Sequence, residues 1–175
     1  MSRRITPMLT LIVLSSLADG HVHAYELKKR IGMGVGKFMR VSDGSLYPLL
    51  RDLEAAGLIV GHTEAAEHGR PDRVVYTITD DGRGELATRA AAPLAEDSDS
   101  ATDFYVRVVC FPFVSTDARQ RLIKERRGRV HADLAALAAA GALVAHVSGH
   151  AELVDLRTRQ LNAELDWLDE LERSL

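Results

Sequence analysis

The stretch from Ser42 to Gly57 constrains this chain more than any other. Leu46, Leu49, Leu50 and Leu53 fall at i, i+3, i+4 and i+7, which lines four leucines along one face of a helix. Ser42 stands where an N-cap belongs and Gly57 where a C-terminal stop belongs. The far side carries Gly44, Pro48, Arg51 and Ala55, with Ser45 and Tyr47 beside it. Such a helix must bury its leucines on neighbours and turn a small, hydroxylated, basic face outward.

The neighbours are legible on either side. Thr6 and Pro7 suit the start of a first helix over about 7 to 18, since a proline in the first turn loses no hydrogen bond. Arg3-Arg4 ahead of the apolar run from Met8 to Leu14 also resembles a secretory signal; the capped helix is preferred because the downstream helices need a packing partner. Ala24, Leu27 and Ile31 mark a second helix over about 22 to 31, ended by Gly32, Gly34 and Gly36. After Gly57, Leu58-Ile59-Val60 and the β-rich run Arg73 to Ile78 flank a polar turn at Glu67 to Asp72. That pattern reads as a two-stranded hairpin. Thr79-Asp80-Asp81 then opens a further helix with acids in its first turn. Helix, helix, helix, hairpin, helix is the order of a winged helix-turn-helix domain.

From Pro93 to Asp103 the composition shifts to Ala, Asp and Ser, as at a hinge. Beyond it lie Phe104, Tyr105, Phe111 and Phe113, then a long helix from Ser115 to about Gly141 and a last helix over roughly 148 to 174. Ile123, Val130 and Leu137 repeat every seven residues, as do Val147, Val154, Leu161, Leu168 and Leu175. Two amphipathic helices on a short connection make an antiparallel hairpin. The expected fold class is mainly α: a winged helix-turn-helix domain over 1–92, a linker over 93–103 and a helical dimerisation domain over 104–175. The apolar stripes exceed what one hairpin buries, so a second copy is expected at Val154, Leu161, Leu165, Trp167, Leu168 and Leu171; packing back on the first domain is the alternative. Phe104, Phe111, Phe113 and Trp167 are candidates for lining an effector pocket, against their usual fate as core.

Charge points to the partner only when read locally. The whole chain is at −3, which argues against nucleic acid. Between positions 28 and 51, however, Lys28, Lys29, Arg30, Lys37, Arg40 and Arg51 face a single acid, Asp43. A basic strip beside a hydroxylated helix face suits double-stranded DNA, with phosphates held by Lys and Arg and base edges read from the helix. Arg70 and Arg73 at the hairpin would reach the neighbouring backbone or minor groove. Solvation of a charged surface is the competing explanation of the strip. A docking module without DNA is the alternative for the whole chain.

Enzymatic chemistry finds no footing. There is no GxxxxGK[ST] loop, no HExxH and no GxSxG elbow. His146 and His150 sit four apart without an acid or Cys at ligand spacing, so no metal or cofactor is expected. Cys110, the single cysteine, lies among Val109, Phe111 and Phe113 and reads as a buried apolar residue. One cysteine fits a reducing cytoplasm, and the longest apolar stretch, Leu134 to Ala145, is too short to span a bilayer.

The run Val41-Ser42-Asp43-Gly44-Ser45-Leu46-Tyr47-Pro48-Leu49-Leu50-Arg51-Asp52-Leu53-Glu54-Ala55-Ala56-Gly57-Leu58-Ile59 resembles the PadR family of transcriptional regulators. Thr6-Pro7, Ala24 to Lys29, Arg73 to Thr79 and Asp81-Gly82 support it, and Asn162 to Leu168 resembles the C-terminal dimerisation region of longer members. The resemblance implies a homodimeric repressor on an inverted repeat; some relatives are released by a phenolic or apolar effector and some are activators. It makes Tyr25 and Lys28 backbone contacts, and Ser42, Ser45, Tyr47, Pro48 and Arg51 the reading and anchoring set. Tyr47, next to Leu46, has a second reading as a buried support. Ala24 stands where the family usually has Gly, and the hairpin is less basic than in many relatives.

Overall fold

A computed structural model describes residues 5–33, 41–64, 73–94, 100–144 and 149–175. Its elements run α1 (Ile5–Ala18), β1 (Val22–His23), α2 (Ala24–Met33), α3 (Asp43–Ala55), β2 (Ile59–Glu64), β3 (Arg73–Ile78), α4 (Asp80–Ala91), α5 (Ser100–Val109), a 3-10 turn (Phe111–Phe113), α6 (Thr116–Val144) and α7 (His150–Arg173). Mainly helical with one small antiparallel sheet, this is the winged-helix class that the sequence predicts.

Helix α1 is apolar around most of its circumference, with Leu9, Leu11, Ile12, Val13, Leu14 and Leu17 all buried. A helix of that kind must be surrounded, and α1 packs on α2, α3, α4, α5 and β3. The run that resembles a secretory signal is thus the central helix of the core. It starts at Ile5, one residue ahead of the expected Thr6 cap, and keeps Pro7 in its first turn.

The sheet corrects the expected two-stranded hairpin. Its order is β1-β3-β2, all antiparallel, with Val22 opposite Tyr76, His23 opposite Val75, and β2 paired with β3 from Ile59–Ile78 to Glu64–Arg73. Val22 is buried and its strand covers one side of β3, which relieves a strand edge of unpaired backbone groups. Helix α2 therefore begins at Ala24 rather than at about 22, and buries Leu27 and Ile31 as predicted.

The end of α3 is fastened to the start of α4. Gly57, at φ +73°, turns the chain in the left-handed conformation that glycine adopts without strain. The Thr79 hydroxyl donates to the Gly57 carbonyl at 2.8 Å and accepts from the Gly82 backbone N–H at 3.0 Å, while the Thr79 N–H donates to the Leu58 carbonyl at 3.1 Å. A Cβ on Gly82 would run into that same Leu58 carbonyl.

The chain divides into two compact units, Met1–Ser115 and Thr116–Leu175. The linker expected over 93–103 does not mark that division. Leu94 is buried, α5 packs on α1, and the 3-10 turn packs on α4. Arg107 supplies the polar tie: it pairs with Asp103 at 3.0 Å, and its guanidinium donates to the carbonyls of Arg89, Ala90 and Ala92 at 2.7, 3.2 and 2.8 Å. Those are carbonyls at the end of α4, whose last turn lacks helical donors. The aromatic segment therefore belongs to the first unit by packing, and residues 95–99 lie outside the described set.

The second unit is the antiparallel hairpin of α6 and α7. Arg126 and Glu164 form a two-pronged pair at 2.7 and 2.9 Å, with side chains only 2% and 10% exposed. Arg127 bonds Asp169 and Glu172 at 2.9 and 2.6 Å. Paired and fully directed, such groups set one register between the helices. Among the described residues, no helix is long and apolar enough to cross a membrane.

Candidate nucleic-acid interface

All four leucines of α3 are buried, so the helix is held from one side and its other side is fixed in place. Gly44, Arg51 and Ala55 are exposed and Pro48 is half-buried along that outer stripe. Tyr47 is 42% exposed, which favours a surface role over a buried support. A Cβ on Gly44 would meet nothing nearer than the Ser42 hydroxyl at 3.8 Å. Among the described residues nothing crowds that position, although glycine weakens a helix by up to about 1 kcal/mol.

Ser42 caps α3 with its backbone, accepting from the N–H groups of Ser45 and Leu46 at 3.0 Å each. Its side chain makes no capping bond. The hydroxyl instead pairs with that of Ser45 at 3.0 Å in an exposed position. Two hydroxyls and the first helical N–H groups thus share the outward end of α3, where partial positive charge favours phosphate.

On α2, Tyr25 is 75% exposed and Lys28 is exposed as well. Tyr25 and Tyr47 line one open cavity of about 450 Å³ together with His23, Ala24, Glu26 and Val74. The structure thus brings together Tyr25 from α2, Tyr47 from α3 and Val74 from the wing. Arg40 and Arg70, like Lys37, lie outside the described residues; Arg73 opens β3, and its side chain lies outside them too.

Three residues that position this surface were not singled out from sequence. Glu54, on the wing side of α3, accepts a hydrogen bond from the Gly61 N–H of β2 at 2.9 Å. Any Cβ at Gly61 would lie 2.7 Å from that carboxylate oxygen and 3.1 Å from the Tyr76 ring. Burial pushes the Tyr76 phenol above its usual pKa, with Glu54 and Tyr47 adding to the effect and Arg51 opposing it. Tyr47, Arg51 and Glu54 occur at i, i+4 and i+7 of α3, the spacing of one helical face.

The other expected sites are placed differently. Phe104 and Phe111 are buried and meet edge to face at 6.4 Å between ring centres, so they fill the core rather than line a pocket. Phe113 borders an opening of about 230 Å³ beside Ser16, Asp19 and Arg30. Trp167 is 36% exposed on α7. In the dimerisation set, Leu161 and Leu168 are buried, on the face that carries Glu164 toward α6, and a Cβ on Gly141 of α6 would lie 3.2 Å from Val154. Val154, Leu165 and Leu171 are half-buried. The seven-residue series therefore closes the hairpin itself. The exposed apolar stripe of α7 is Leu153, Leu156, Ala163 and Trp167, with Leu153 at 64% and Leu156 at 52%. Among the described residues, no three His, Cys, Asp or Glu side chains converge as a metal site requires.

Residues 13–88 match the transcriptional regulator PadR-like family. A probable transcriptional regulator from Mycobacterium tuberculosis is 37% identical over 83 residues, which is 47% of this chain and 43% of the relative, so the match spans less than half of that protein. The PadR-like transcriptional regulator from Bacillus cereus is 33% identical over 50% of this chain and 82% of its own, with a TM-score of 0.42. PadR from Bacillus subtilis, solved in complex with operator DNA, is 20% identical over 95% of this chain and 98% of its own, with a TM-score of 0.48.

Proposed function

The chain belongs to the PadR-like family of transcriptional regulators through residues 13–88, and on that premise we propose that it is a cytoplasmic, DNA-binding repressor that grips an inverted repeat as a homodimer. The observation that carries this reading is the outer face of α3. Gly44, Pro48, Arg51 and Ala55 leave it low and open, Ser42, Ser45 and Tyr47 supply hydroxyls, and four buried leucines hold the helix still. Small residues admit a groove edge, hydroxyls and Arg51 bond phosphates and bases, and rigidity spares the ordering cost. Tyr25 and Lys28 would hold the backbone beside it. Arg40, Arg70 and Arg73 keep their expected part in gripping phosphate.

The second copy is assigned to α7. Leu153 and Leu156, with Trp167 of the expected seam, expose apolar surface that a second copy would cover, in place of the buried Leu161 and Leu168. Control by a small aromatic or apolar effector belongs to the same reading.

The test is to capture genomic DNA on the full chain at low salt and sequence it. Symmetric half-sites one helical turn, or a multiple of it, apart would support the reading. A chain that retains no DNA at low salt would reject it.

A further inference from the structure

We propose that the cavity between α2, α3 and the wing is a ligand site for a small aromatic cation, and that such a ligand competes directly with DNA; the competition rests on the DNA-binding reading above, the binding does not. The cavity, about 450 Å³, is bounded by His23, Ala24, Tyr25, Glu26, Tyr47 and Val74. That is within the usual size of small-molecule sites, which are apolar pockets with a few placed polar groups. Tyr25, Tyr47 and Val74 are three of the chain's exposed large apolar side chains, and they come from three different elements to line one opening. Exposed aromatic surface gathered this way is costly in water unless something covers it.

The lining selects the charge of that occupant. Among the described residues no Lys or Arg side chain lines the cavity, and Glu26 stands at its wall, with Arg30 3.5 Å from the carboxylate. A second carboxylate, Glu64, lies 3.9 Å from His23 Nε2. The Nδ1 atom of His23 is sealed from solvent and has no partner among the described residues, so it offers an incoming ligand nothing. Two phenol rings and nearby carboxylates favour a cation over their π faces and disfavour an acid. Expected effector chemistry thereby moves from the aromatic segment at Phe104, which is core, to this cavity. Because Tyr25 and Tyr47 also belong to the proposed DNA surface, one occupant excludes the other.

The experiment is calorimetric titration of the full chain at fixed ionic strength with benzyltrimethylammonium and, separately, with 3-phenylpropanoate. The cation should saturate a site at least tenfold tighter than the acid. Tyr25→Ala and Tyr47→Ala should each weaken it tenfold or more, whereas Phe113→Ala, at a separate opening, should leave it unchanged. Tyr25 is exposed enough that its variant keeps the fold even if the Tyr47 variant does not. No saturable binding, equal or tighter binding of the acid, or indifference to both tyrosine substitutions would overturn the site. Adding the captured DNA should raise the apparent Kd of the cation. If the cation binds unchanged in DNA's presence, the competition is overturned; if no DNA is captured at all, the titration still decides the cavity.

Discussion

The carboxylate of Glu54 accepts a hydrogen bond from the backbone N–H of Gly61 at 2.9 Å, joining the last turn of α3 to the outer strand of the wing. Removing it should loosen the wing relative to α3. Glu54→Ala is expected to lower DNA affinity about tenfold while leaving the slope of log affinity against log salt unchanged, because no phosphate contact is lost. Glu54→Gln, which keeps an acceptor in place, should restore most of the affinity. A changed salt slope in the alanine variant would point to a direct DNA contact instead.

Gly82 and Gly84, two residues apart in α4, should respond oppositely to alanine. A Cβ at Gly82 collides with the Leu58 carbonyl, whereas nothing lies within 4 Å of one at Gly84. Gly82→Ala is expected to cost about 3 kcal/mol through overpacking against backbone. Gly84→Ala should gain about 0.5–1 kcal/mol from helix propensity. Urea unfolding of both variants checks the pair.

On the outer face of α3, Gly44→Ala should leave the melting temperature unchanged or slightly higher and still weaken DNA binding, since among the described residues its Cβ would meet only the Ser42 hydroxyl. If Arg51 and Lys28 each hold a phosphate, replacing either flattens the salt dependence by about 0.9 slope units per protomer, or roughly two in a dimer. Mobility shifts across a salt series separate the steric from the ionic effect.

Leu153→Glu with Leu156→Glu should give a monomer by light scattering with its helical circular dichroism retained, as both side chains are exposed. Leu161→Ala should instead destabilise the hairpin by about 2–5 kcal/mol. A double glutamate variant that stays dimeric places the seam elsewhere.

Cys110 is buried, and that burial pushes its thiol up to about 11. It should resist a thiol reagent at pH 8 in the native chain and react fully in denaturant. Because the folded pKa is raised, this group's contribution to stability is intact below about pH 9 and is lost as pH climbs through about 11.

The sequence made α3 readable because four leucines, a cap position and a stop residue all agree, and the same holds for Thr79, whose side chain does cap α4. Strand β1 was not readable: two residues carry no periodicity, and Val22-His23 pairs with β3 through backbone. The seven-residue series of α7 was found, but periodicity alone does not say which neighbour fills a stripe; α6 takes it, and the exposed stripe lies beside it. Glu54 left no trace because a carboxylate on the outside of a helix looks solvated until the wing folds over it. The aromatic segment misled through composition, since Phe104 and Phe111 buried together look like Phe104 and Phe111 around a ligand.

Arg107 decides where this protein can be cut. Its guanidinium closes the end of α4 from a residue that sits beyond the Ala-, Asp- and Ser-rich stretch. A fragment ending at Ala92, where the composition invites a cut, would lose the donor and leave those carbonyls open, with part of the α1 surface stripped of α5. The compact unit runs on to Ser115, so a graft of the winged helix onto another protein should carry the aromatic segment along.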